Sequence, residues 1–157
     1  MVQICMWVVC MDLHRFAVPW ILRVYPMIRR QYHPHQTEHG LFIWDVHRLV
    51  ELTQDLPVIE KSIDSIQELD ERSWFNDEEH PPSCRAIAEH AKLIEEADLD
   101  HPIILSAEGR VMDGMHRVCK AWMRGDEHIK AVQFEEDPEP DYIDMPLEEL
   151  PYEDLLS

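Results

Sequence analysis

Positive charge is what this chain lacks most. Its 157 residues carry 14 Lys and Arg against 32 Asp and Glu, a formal charge of −18. The mean field of such a protein repels polyanions and anionic lipid surfaces, so direct DNA binding is not expected. Long apolar runs are missing too. The N-terminal run MVQICMWVVCM has no basic residue before it and is stopped by Asp12, His14 and Arg15, far short of the roughly 20 residues of a membrane span. It fits neither a signal peptide nor an anchor, and no membrane partner is expected. The four cysteines, Cys5, Cys10, Cys84 and Cys119, form no CxxC pair and match no zinc spacing or secreted disulfide framework. They point to a reduced, cytoplasmic chain. His47, His80, His90, His101 and His128 show no HxxxH or HExxH spacing and read as surface or capping histidines, so no metal ligands are assigned. Internal repeats are absent.

What is present is enough to build one core. The chain is 45% hydrophobic with 5 Trp, well above the composition of a chain unable to bury a core. Its length supports one domain and leaves a surplus at each end. Residues 1–40 hold four arginines against Asp12 and Glu38 and include Pro19, Pro26 and Pro34, with no sustained helical or strand period. Two readings of this stretch stand: a poorly ordered extension, or sequence upstream of the natural start. The domain is expected over 41–134, followed by an acidic, proline-broken tail over 135–157. Tyr142, Ile143, Met145, Leu147, Leu150 and Leu155 of that tail are spaced to dock on the domain or on a partner.

Periodicity then gives an order of elements. Ile43, Val46, Leu49, Val50 and Leu52 recur at near-helical spacing from Leu41 until Pro57, which predicts a first helix. VIEKSI reads as a short strand, and Ser62 as the cap of a helical turn. PPSCRAIAEHAKLIEEADLD predicts a long helix capped by Ser83, with Ile87, Ala88, Ala91, Leu93 and Ile94 as its apolar stripe. HPIILSAEGRVMDG predicts a hairpin turning at Glu108–Gly109. MHRVCKAWMRG predicts a helix closed by Gly125, and HIKAVQF a final strand.

The chemistry concentrates in DGMHR, residues 113–117. A strand that runs through Asp-Gly into a helix leaves the first backbone N–H groups unpaired, and Gly114 lets a ligand approach them. Such a helix start attracts anions. Arg117 can donate to a phosphate in bidentate fashion, and His116 can donate a hydrogen bond or move a proton near neutral pH. Asp113 either caps the helix or acts as a base or with a cation. In the plain structural reading Asp113 caps, Gly114 eases the turn, and His116 and Arg117 pair with nearby carboxylates. Trp44, Trp74 and Trp122 are read as core or docking residues, with base stacking by Trp74 or Phe75, in the acidic loop before the long helix, as a lesser reading.

The run HPIILSAEGRVMDGMHRVCKAWMRGDEHIKAVQF, preceded by a strand, a helical turn and a longer helix, resembles the ParB/sulfiredoxin superfamily over roughly residues 56–134. The resemblance implies a small α+β domain, a mixed sheet with packed helices, in a short bacterial member with irregular N- and C-terminal extensions. It also implies that Gly114, Met115, His116 and Arg117 form a phosphate- or nucleotide-binding helix start. Sulfiredoxins need a cysteine before the His-Arg pair, and Met115 stands there, so sulfiredoxin chemistry is not expected. Partition ParB proteins continue into a DNA-binding region that is not recognisable here. The kinase-like members are most similar, and by that similarity Asp113 and Glu60 are the candidate catalytic carboxylates, for nucleotide hydrolysis or phosphoryl transfer. Mg2+ is expected with the nucleotide, to soften repulsion from Asp113 and the acidic surface. The alternative is a non-catalytic protein-interaction or partition-accessory module whose acidic surface and tail bind a protein partner.

Overall fold

The computed structural model describes residues 30–72, 74–75 and 82–152. Residues 1–29, which hold most of the expected N-terminal extension, lie outside the described residues, as do His80 and Leu155. Two sheets form the body. In the first, β1 (Tyr32–Thr37), β2 (Gly40–Asp45) and β7 (Tyr142–Ile143) run antiparallel in the order β1-β2-β7. In the second, β3 (Ile59–Ser62), β6 (His128–Gln133), β4 (Ile103–Leu105) and β5 (Val111–Asp113) lie in the order β3-β6-β4-β5. There β4 is parallel to β6 and the other pairs are antiparallel, giving a mixed sheet. Among the described residues three helices, α1 (Val46–Leu52), α2 (Cys84–Glu96) and α3 (Met115–Arg124), complete an α+β domain.

Alternation along the central strands sets the layers. Successive residues of a strand point to opposite faces. Ile104, Met112 and Val132 therefore face Trp44, Leu49 and Val50 of the first sheet and α1, while Ile103, Leu105, Val111 and Ala131 face Ile63, Ile66, Val118 and Ala121. All three residues of β4 are buried, as befits a strand covered on both faces.

Two expectations about the N-terminal half are corrected. The helix predicted from Leu41 begins only at Val46, because Gly40–Asp45 is strand β2. Asp45 makes the change: its backbone is extended (φ −72°, ψ 121°) and its carboxylate accepts from His47 N at 2.9 Å, capping α1. The change of composition near Gly40 falls inside a hairpin, since β1 pairs with β2 from Tyr32 opposite Asp45 to Thr37 opposite Gly40. Residues 32–40 are thus part of the domain.

The turns after β3 are two 3-10 turns, Ile63–Ser65 and Gln67–Asp70, and Ser62 makes no side-chain cap. Ser83 does cap α2, accepting from Ala86 N at 3.1 Å. No residue of α2 is buried, however, and Ile87 and Leu93 of its apolar stripe are exposed. Lys120 Nζ donates to Glu95 O and Ala97 O at 2.8 and 2.6 Å, supplying the cation that the acidic end of α2 lacks.

The tail docks on its own domain. Ala107 N donates to Asp137 Oδ1 at 2.7 Å, Trp44 Nε1 to Pro138 O at 2.8 Å and Asp45 N to Asp141 Oδ2 at 2.8 Å. Tyr142 and Ile143 form β7, Leu41 N donates to Asp144 Oδ1 at 2.8 Å, and Leu150 is buried. Leu147 stays exposed.

Candidate functional site

Strand β5 delivers Asp113 to the site and Gly114 turns the chain into α3. Gly114 adopts a left-handed conformation (φ 105°, ψ 20°) and no side chain caps the helix. A Cβ at this position would sit 2.7 Å from Arg117 Nη2 and 2.7 Å from Ile103 Cγ2, so only glycine fits. Val118 and Ala121 are buried and fix the face that α3 turns to the sheet, while Gly125 (φ 77°) closes the helix by donating to Ala121 O and Trp122 O. The side chain of Met115 is half-buried against the second core cluster. Its contribution at the helix start is its backbone N–H.

Arg117 folds back over that start. Its Nη2 donates to Asp113 Oδ2 at 2.6 Å, and each side chain is 19% exposed. Asp113 therefore takes the cation rather than capping the helix, so of the plain structural reading the pairing holds for Arg117, whereas the cap at Asp113 does not form and His116 bonds to His90 instead of a carboxylate. Arg117 Nε is buried with no acceptor among the described residues. Orphaned buried donors are uncommon because each costs about 1–3 kcal/mol.

His116, the second residue of α3, meets a residue the sequence gave no reason to join to it. His90 Nδ1 and His116 Nε2 are 3.0 Å apart. The two rings lie side by side under Trp74, whose ring stacks at 4.3 Å from His90 and 4.5 Å from His116, while Phe75 meets His90 edge-on at 5.2 Å. Burial lowers the pKa of both imidazoles. For His90 the Glu89 carboxylate opposes this; for His116 the neighbouring His90 and, less, Arg117 add to it while Asp113 opposes it. Both rings are accordingly biased to the neutral form.

The other assigned residues are dispersed. Glu60 is exposed on β3, at the opposite edge of the second sheet from β5. Three strand spacings alone separate it from Asp113 by about 14 Å across the sheet, and the register offsets the two along the strands as well, so the structure does not bring the two candidate catalytic carboxylates together. Cys119 is half-buried, and burial raises its thiol pKa. Trp122 is exposed rather than in the core. His33 of β1, in the stretch first read as an extension, is also shifted: burial and, less, His35 bring its pKa down to about 4 against the opposing pull of Asp113 and Asp137. Among the described residues no group of three or more His, Cys, Asp or Glu converges on a metal position.

No family model, curated protein or solved structure matches this chain.

Proposed function

We propose that the start of α3 binds a phosphate group of a nucleotide or phosphorylated small molecule. The observation that carries this reading is Arg117: a guanidinium held over a helix start that makes no side-chain cap, with Nε buried and lacking an acceptor among the described residues. A cation laid on the positive end of a helix dipole is unfavourable unless an anion lies between them. Asp113 partly supplies that anion, and a phosphate supplies it better, since it can accept from Arg117 and from the free N–H groups of the first turn at once. The resemblance of DGMHR and its flanking elements to the ParB/sulfiredoxin superfamily supports the same site. A phosphate that takes Arg117 leaves the Asp113 carboxylate beside it as a proton acceptor, which suits hydrolysis or phosphoryl transfer.

The test is the melting temperature of the full chain, wild type and Arg117→Ala, with ATP, ADP, CTP and GTP, each with and without Mg2+. Ligand at about 100 times Kd stabilises the folded state by about 2.7 kcal/mol. A rise with one nucleotide that disappears in Arg117→Ala is the expected result. Unchanged melting with all four, or an equal rise in the variant, overturns the proposal.

A further inference from the structure

The His90–His116 pair lies beside the phosphate position without belonging to the DGMHR pattern. We infer that the two rings act as one proton-sharing unit, neutral in the free protein and singly protonated when a dianionic terminal phosphate or its like sits at the start of α3, so that each dianion brings one proton with it. This rests on the phosphate-binding reading above and names what the site selects: a doubly charged terminal group over a singly charged diester.

The geometry sets the stoichiometry. A bond between His90 Nδ1 and His116 Nε2 at 3.0 Å needs one hydrogen between two ring nitrogens. In the neutral pair each ring holds one proton: one lies in the shared bond, the second sits on an outer nitrogen, and the other outer nitrogen is bare. One further proton fills the bare nitrogen and keeps the shared bond. A fourth would put hydrogen on both facing nitrogens and break it. The pair therefore accepts one proton without rearrangement.

The surroundings decide when that proton arrives. From α2 the Glu89 carboxylate favours charge on His90. From the end of β5 Asp113 favours it on His116, whereas Arg117 of α3 disfavours it. Trp74 and Phe75 close over the rings without a charge of their own. In the free protein desolvation is the strongest influence on both rings, and Asp113 is engaged by Arg117. A dianion at the first turn of α3 adds two negative charges next to the second residue of that helix, and it turns the balance towards the imidazolium. The Trp74 face, 4.5 Å from the His116 ring, then supports a cation as well as it supports a neutral ring. The neutralised charge also matters on a chain of net −18, where each added negative charge meets repulsion.

The test uses inorganic sulfate, a dianion throughout the range studied, bound to the full-length protein and followed by titration calorimetry from pH 6 to 8. Running each titration in two buffers of different ionisation enthalpy counts the protons taken up. The expected result is uptake approaching one proton per sulfate and an affinity falling towards tenfold per pH unit, the slope of one linked proton. The double variant His90→Gln, His116→Gln keeps side chains that can bond to each other but do not titrate; it should bind sulfate more weakly, with no uptake and no slope. Sulfate binding by the wild type without proton uptake overturns this inference and leaves the phosphate site standing, as does uptake retained in the double variant. Failure of sulfate and of every nucleotide to bind overturns both.

Discussion

Arg117 and Asp113, four residues apart across the start of α3, hold one another at 2.6 Å while the neighbouring Nε of the same guanidinium has no acceptor among the described residues. The carboxylate thus both orients the arginine and competes for it. Replacing Asp113 by Asn keeps an acceptor and removes the charge. A charged hydrogen bond exceeds a neutral one by about 1 kcal/mol, so Asp113→Asn should tighten sulfate or nucleotide binding about fivefold and lower folding stability by about 1 kcal/mol. Calorimetric titration and urea unfolding of the same preparation check both figures. Weaker binding would show that Asp113 itself contacts the ligand.

Gly114→Ala probes the turn that presents this pair. The new Cβ meets a left-handed backbone and lies 2.7 Å from Ile103 Cγ2 as well as from Arg117 Nη2. Arg117 can swing aside, but Ile103 is fully buried in the core. Strain of this kind costs about 1–3 kcal/mol, and the displaced guanidinium should reduce anion affinity at the same time. Chemical denaturation and sulfate titration read the two effects separately.

Acid should loosen the fold well before its carboxylates protonate. Burial brings His33 down to about 4 and lowers His90 and His116 in the same direction. A histidine whose folded pKa lies below its unfolded one binds protons more readily in the unfolded state. Its stabilising share is present above the unfolded value of roughly 6.5 and is lost as pH falls from there towards about 4 for His33. Urea midpoints should drop between pH 7 and pH 5 in the wild type and drop less in His33→Gln. Equal slopes in the two proteins would remove His33 from this role.

The C-terminal strap should be worth a measurable part of the stability. Leu150→Ala opens a cavity at a site that is 4% exposed and should cost about 2–3 kcal/mol. Trp44→Phe loses the bond from Nε1 to the Pro138 carbonyl, about 1 kcal/mol. If instead the tail serves a basic partner, Asp137, Asp141 and Asp144 must first leave the backbone N–H groups they hold. Thermal melts of both variants decide how tightly the strap is held.

Local signals carried much of this fold. The Ser83 cap of α2, the turn around Gly109, the closing glycine of α3 and strand β6 were all legible, because each depends on residues within one element and its cap, whereas β7 in the tail was not read as a strand. The region around Asp45 was misread because Ile43, Val46, Leu49 and Val50 keep a helical spacing across a strand-to-helix junction. Asp45, the cap that separates the two, was the available signal. In the site, a carboxylate partner for Arg117 was legible, but Asp113 was read as the helix cap, and the structure makes it that partner instead. His90, 26 residues before His116 in the chain, and Trp74 over both came together only through the contact of α2 with α3, and no periodicity encodes that meeting. The placement of Glu60 was hidden for a similar reason: strand order, not sequence distance, put it on the far edge.

The first sheet also has a mechanical meaning. Its outer strands, β1 and β7, come from the two ends of the described chain and flank β2, and Tyr32 Oη donates to the Pro151 carbonyl at 2.9 Å across 119 residues. A pull applied at these two ends is taken up by this outer clasp first. The second sheet, which carries β5 and the turn into α3, feels no load until the clasp has opened, so the part of the molecule that must hold Arg117 in place is also the part most sheltered from tension.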